Sequence, residues 1–104
     1  MREKLLSALS MARGAGKLKI GLEAAKEAVA GGAPLVVITC DTSERTQRSI
    51  KEFCTEDTEV MMLRETQQDI ADKIGWKFGV SAITDNNFAD LVRRSAEMLG
   101  EGLE

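Results

Sequence analysis

The 104-residue sequence predicts an α/β fold, with a mixed or parallel sheet held between two helical layers. Three observations lead there. Helix-like and strand-like patterns alternate along the whole chain, separated by glycines or polar caps. The run Leu35-Val36-Val37-Ile38 is apolar without alternation, so both of its faces must be covered. Each helical segment carries one apolar stripe, as a helix lying on a sheet should.

The elements follow in order. Residues 2–13 set Leu5, Ala8, Leu9 and Ala12 at helical spacing, with Met11 off the stripe and Gly14 and Gly16 closing the helix. Leu18 to Ile20 reads as a short extended piece. Gly21 opens an alanine-rich helix to Ala30, built from good helix formers, and Gly31-Gly32 ends it. Leu35 to Cys40 is a buried strand. Asp41 or Thr42 is expected to cap a third helix, with Ile50, Phe53 and Cys54 facing inward. Glu59 to Leu63 is a strand. Thr66-Gln-Gln-Asp69 has the form of a capping box and starts a fourth helix, which Gly75 stops. Val80 to Thr84 is the last strand. Asp85 caps a final helix with Phe88, Leu91, Val92 and Met98 or Leu99 inward. Residues 1–99 form one domain, and 100–104 a frayed tail.

Bulk properties narrow the function. No apolar run is long enough to span a bilayer, and the charged start lacks a signal-peptide core, so the expected compartment is the cytoplasm. Two cysteines make no disulfide framework; each lies in an apolar pattern and reads as a buried thiol. There is no histidine, which removes the commonest metal ligand and the usual general base. No cofactor or metal is expected, and no catalytic set can be assembled. Asp41, Asp69 and Asp85 read as helix caps, and Cys40 has no base beside it.

Net charge is −3, but the distribution is uneven: residues 1–26 carry six basic and two acidic side chains, the remainder eight and fifteen. Arg13, Lys17 and Lys19 stand just before the helix opened by Gly21. Free backbone N–H groups and positive side chains therefore converge at one place suited to phosphate. Gly14-Ala-Gly16-Lys17 is not a nucleotide-binding loop, because a helix precedes it and Leu18 follows the lysine. The loop Gly75-Trp76-Lys77-Phe78-Gly79 reads in two ways. Its rings pack onto the core, as at least one should, or one ring covers an unstacked base while Lys77 meets a phosphate.

Taken together, the segments Gly16 to Gly32, Leu35 to Asp41, Ile70 to Gly75 and Asp85 to Ala89 resemble the kink-turn RNA-binding ribosomal protein family, the "L seven A e" and "L thirty e" type. The resemblance covers about nine-tenths of the chain. It implies a three-layer α/β/α sandwich with a mixed four-stranded sheet, and a non-enzymatic protein that binds structured RNA. Carried over, one RNA surface is Lys17, Lys19, Gly21, Leu22, Glu23 and Ala24, flanked by Arg13. The other is Trp76, Lys77 and Phe78. Strong kink-turn binders carry Gly-x-Asn-Glu at this helix start, then a lysine. Here the run is Gly21-Leu22-Glu23-Ala24, with Glu27 in the lysine's place, which is similar to the bacterial stand-alone branch. The partners implied are structured RNA, including ribosomal RNA, and ribosomal or translation-factor proteins. The alternatives are a protein-interaction module with an eroded RNA face and, more remotely, a small enzyme on the same scaffold.

Overall fold

The computed structural model describes residues 3–103, with side chains through Ala96. Nine elements follow in sequence: α1 (Glu3–Gly14), β1 (Leu18–Ile20), α2 (Leu22–Ala30), β2 (Leu35–Ile38), α3 (Glu44–Phe53), β3 (Glu59–Met62), α4 (Gln67–Ile74), β4 (Val80–Ile83) and α5 (Asn86–Leu103). The expectations for Met98, Leu99 and the tail fall outside the described side chains.

The four strands form one mixed sheet in the order β1-β4-β2-β3. β4 is antiparallel to both β1 and β2, while β2 and β3 are parallel. Side chains alternate across the sheet and build two cores. Leu35, Val37 and Ile83 point to one face, under α1, α4 and α5, with Leu5, Leu9, Ile70 and Val92. Val36, Ile38, Val80 and Ala82 point to the other, under α2 and α3, with Ala25, Val29 and Ile50. Every β2 residue is buried, which is why its sequence shows no polar alternation.

Helix ends follow local chemistry. Gly21, at φ +105°, is the N-cap of α2, and no side chain caps that helix. A side chain rarely adopts this backbone, so glycine is required there. In α4 the capping box is complete: Thr66 Oγ1 accepts from the Asp69 N–H at 3.1 Å, and Asp69 Oδ2 accepts from the Thr66 N–H at 2.9 Å. Asp85 Oδ2 accepts from the Phe88 N–H at 3.1 Å and caps α5 as expected.

Three expectations need correction. The cap of α3 is Ser43, whose Oγ accepts from the Thr46 N–H at 3.2 Å; Asp41 and Thr42 come just before it and bond elsewhere. Cys40 is exposed, because the chain leaves the sheet at Thr39; its Sγ donates to the Arg64 carbonyl at 3.1 Å. Cys54 is half-buried, and desolvation raises its thiol pKa. Phe53 is 43% exposed, with its ring under the Lys26 ammonium, 5.8 Å from the centroid. It occupies the last position of α3, beyond the reach of the sheet.

Candidate nucleic-acid interface

The sheet topology gathers one end of the molecule. β1, β2 and β3 all run toward it, and α2, α3 and α4 all start there, while antiparallel β4 begins there. Crevices at the carboxyl ends of strands are the usual ligand sites of α/β sheets. Here that crevice is an open cleft of about 500 Å³. One wall is Ile20, Gly21 and Leu22, a second is Asp41, Thr42, Ser43 and Thr46, and the third is Lys77, Phe78, Gly79 and Val80, with Gln67 beside it.

Main-chain bonds fix these walls to one another. The Gly21 N–H donates to the Val80 carbonyl at 2.8 Å, and the Thr39 N–H to the Gly79 carbonyl at 2.9 Å. Thr42 Oγ1 also donates to the Gly79 carbonyl, at 3.0 Å, and shares a 2.7 Å hydrogen bond with Thr39 Oγ1. Gly79 has to be glycine for lack of space: a Cβ there would stand 2.7 Å from Thr42 Oγ1.

Asp41 caps a helix after all, but a distant one. Its Oδ1 accepts from the Gln67 N–H, the first of α4, at 3.0 Å. Desolvation pushes this carboxyl up, yet the Gln67 N–H, the Thr39 hydroxyl and the charge of Lys77 outweigh it and hold the pKa below the usual carboxylate range. Asp41 and Lys77 are the charged side chains of the cleft, one of each sign. The α2 start is different. Having no side-chain cap, its first-turn N–H groups remain directed outward, where an anion is favoured. Glu23 and Ala24 occupy that turn, Glu23 exposed and Ala24 half-buried.

The structure thus brings Gly21, Leu22, Lys77 and Phe78 together. It does not bring Lys17 with them. Lys17 lies at the other end of β1, where its carbonyl accepts from the Thr84 N–H at 2.9 Å, about 13 Å of extended chain from Gly21. Lys19 projects from the edge strand on the α2 side, opposite in phase to Leu18 and Ile20. The loop rings divide: Phe78 is buried at 4%, in the core and on the cleft wall, while Trp76 is 50% exposed and off the cleft. The Arg13 guanidinium lies over the Trp76 ring, 4.8 Å from its centroid. Sequence reasoning missed Thr42, Ser43, Thr46, Gln67 and Gly79. The signal was the position of Asp41-Thr42-Ser43 just beyond a buried strand. Among the described residues no acidic or cysteine cluster could hold a metal ion, and no helix is long and apolar enough to cross a membrane.

The architecture is that of a small α/β/α sandwich with a polar cleft at its gathered helix starts. Residues 3–92 match the profile of the Ribosomal protein L7Ae/L30e/S12e/Gadd45 family, and the chain belongs to that family. Its members commonly bind RNA and are generally not enzymes. Among solved structures, a protein of unknown function from Bacillus halodurans C is similar, with 25% identity, a TM-score of 0.80, and 90% of this chain covering 97% of that one. The Giardia lamblia 15.5kD RNA binding protein shares the fold at 15% identity and a TM-score of 0.69, with 94% of this chain covering 86% of that one. No curated protein sequence gives a significant match.

Proposed function

We propose that this protein is a non-enzymatic RNA binder of the bacterial stand-alone type, with the cleft as its centre. The supporting observation is the uncapped α2 start at Gly21, facing the Lys77–Gly79 wall across a cleft, in a chain of this family. The α2 N–H groups receive a phosphate or a guanine-edge acceptor, and Lys77 neutralises a neighbouring phosphate. Leu22, Phe78 and Val80 offer an apolar wall to an unstacked base. Glu23 accepts hydrogen bonds from base edges and Ala24 leaves room beside it. Lys19 serves the backbone from the strand edge. Lys17, at the far end of β1, serves only an RNA that wraps along that edge. The RNA is a kink-turn or related internal loop, and ribosomal RNA and translation proteins are the natural setting.

Titration of a standard kink-turn RNA at several salt concentrations tests this. Saturable binding that Lys77→Glu weakens at least tenfold is expected. No binding at low salt by the natural protein overturns the reading. RNA binding that appears only after Ala24→Glu with Glu27→Lys would instead favour a protein-interaction module with an eroded RNA face.

A further inference from the structure

We infer that β3 is a pairing edge whose occupant is the β3 strand of a second copy of this chain, run antiparallel about a two-fold axis. The sheet ends at β1 on one side and at β3 on the other. The two edges differ. β1 is three residues long with exposed Lys19 at its centre, the usual guard against a further strand. In β3, Val60, Met61 and Met62 bring neither charge nor proline; the first two are half-buried and Met62 is 44% exposed. Main-chain bonds give the phase of this strand. The Glu59 N–H donates to the Pro34 carbonyl at 3.0 Å, and the Leu63 N–H to the Ile38 carbonyl at 2.7 Å. The odd-numbered residues therefore face β2. Val60 and Met62 direct both N–H and C=O away from the sheet. Among the described residues no hydrogen bond takes these groups up. No residue of β3 lines the cleft, so the edge is separate from the RNA reading.

A copy of the strand is the complement of this edge. In an antiparallel pair, two residues that exchange both main-chain bonds stand directly opposite each other. Setting Val60 opposite the copy's Met62 passes the axis through Met61 and repeats the pair. This register uses the outward groups of Val60 and Met62 on both strands and leaves none over. Sliding the copy by one pleat toward the strand start would require the Thr58 N–H, which is already bound to the Thr55 carbonyl at 3.1 Å. Val60 then packs on the copy's Met62 on the α2 and α3 side, and Met61 on its own counterpart on the other side. Charge agrees with this direction. Glu56 and Asp57 stand exposed before β3, and Arg64 stands exposed after it. Antiparallel pairing sets each Arg64 opposite Thr58 of the other copy, beside that acidic pair, whereas parallel pairing would set acid on acid. Glu59 is held by Arg93 at 2.5 Å and brings no unpaired charge to the seam. A foreign peptide would meet the same main-chain groups, but nothing at this edge selects its side chains. The contact is short, which makes the association weak and reversible. Reversal of the strand turns the two clefts to opposite ends and leaves both open.

Sedimentation equilibrium of the natural protein reads the association, with a midpoint expected at about 100 µM for so small a contact and a range of about 10 µM to about 1 mM to cover it. Amide exchange by NMR at both ends of that range reads the geometry. The expected result is a monomer–dimer equilibrium in which the Val60 and Met62 amides exchange about threefold more slowly at the higher concentration, while exposed amides elsewhere keep their rates. Met62→Lys should weaken the dimer about tenfold by placing a charge on the seam. Met62→Pro should abolish it, because the ring removes an outward N–H and leaves the bonds to β2 in place. An unchanged urea midpoint at the lowest concentration shows that each variant is folded; if the proline variant is not, the lysine variant decides. A monomer throughout the range overturns the inference. So does a dimer whose Val60 and Met62 amides exchange at the monomer's rate, or one that Met62→Lys leaves intact. None of these outcomes bears on the cleft.

Discussion

Gly79→Ala isolates the packing that holds the cleft together. A methyl at Gly79 would stand 2.7 Å from Thr42 Oγ1, well inside contact distance. Thr42 is buried at 7%, and its hydroxyl is already committed to Thr39 at 2.7 Å and the Gly79 carbonyl at 3.0 Å. Relieving the clash by rotating Thr42 breaks both bonds, at about 1 kcal/mol each. Crowding of a tight wall adds about 1 kcal/mol. Against this, alanine restricts the unfolded chain and returns about 0.7 kcal/mol, because Gly79 does not occupy a backbone region closed to alanine. The net expectation is a loss of about 2 kcal/mol, near 10 °C in Tm for a domain of this size. Urea unfolding measures it directly. In a Thr42→Ala background the obstructing oxygen is gone, and Gly79→Ala should cost little or even stabilise. The two changes must then be non-additive by about 2 kcal/mol. If they add to within about 0.5 kcal/mol, or if Gly79→Ala alone unfolds like the natural protein, the steric argument is wrong.

Other outcomes follow from features already described. Thr66→Ala should destabilise the protein by about 1 kcal/mol in urea unfolding, since it opens the capping box of α4. The Asp41 carboxyl has a lowered pKa in the folded state, so its contribution is fully present above the usual carboxylate value and is lost only as pH falls below that value, through the lowered one. Comparing unfolding midpoints from about pH 7 downward, Asp41→Asn should be less stable at neutral pH, and its deficit should begin to shrink only below about pH 4. A gap that stays constant would exclude this role. Lys77→Gln should reduce the slope of RNA affinity against salt by about one phosphate equivalent, read from binding isotherms between low and physiological salt.

Local chemistry made most of the fold legible. All nine elements could be placed from periodicity, from glycine stops and from the caps at Thr66 and Asp85. The apolar run at Leu35 revealed a doubly covered central strand. What sequence could not supply was contact between distant segments. Asp41 stands where a cap for α3 belongs, yet it serves α4, because the β2 and β3 ends meet in space. Cys40 continues an apolar pattern but comes after the sheet has ended. The candidate site was half visible for the same reason. Gly21, Leu22, Lys77 and Phe78 could be picked out by residue type, while Thr42, Gln67 and Gly79 belong to the cleft only because β4 lies between β1 and β2. Lys17 is close to Gly21 in sequence, but the extended β1 strand lies between them.

The cleft is framed largely by amide-to-carbonyl bonds, from Gly21 to Val80 and from Thr39 to Gly79. Such a frame is indifferent to most side-chain identities. Descendants of one ancestor can exchange nearly every group that faces a partner and keep the same opening. Away from Gly21, Thr42 and Gly79, specificity on this scaffold can therefore drift by single substitutions at little cost to folding, and a lineage can change what it recognises long before it changes shape.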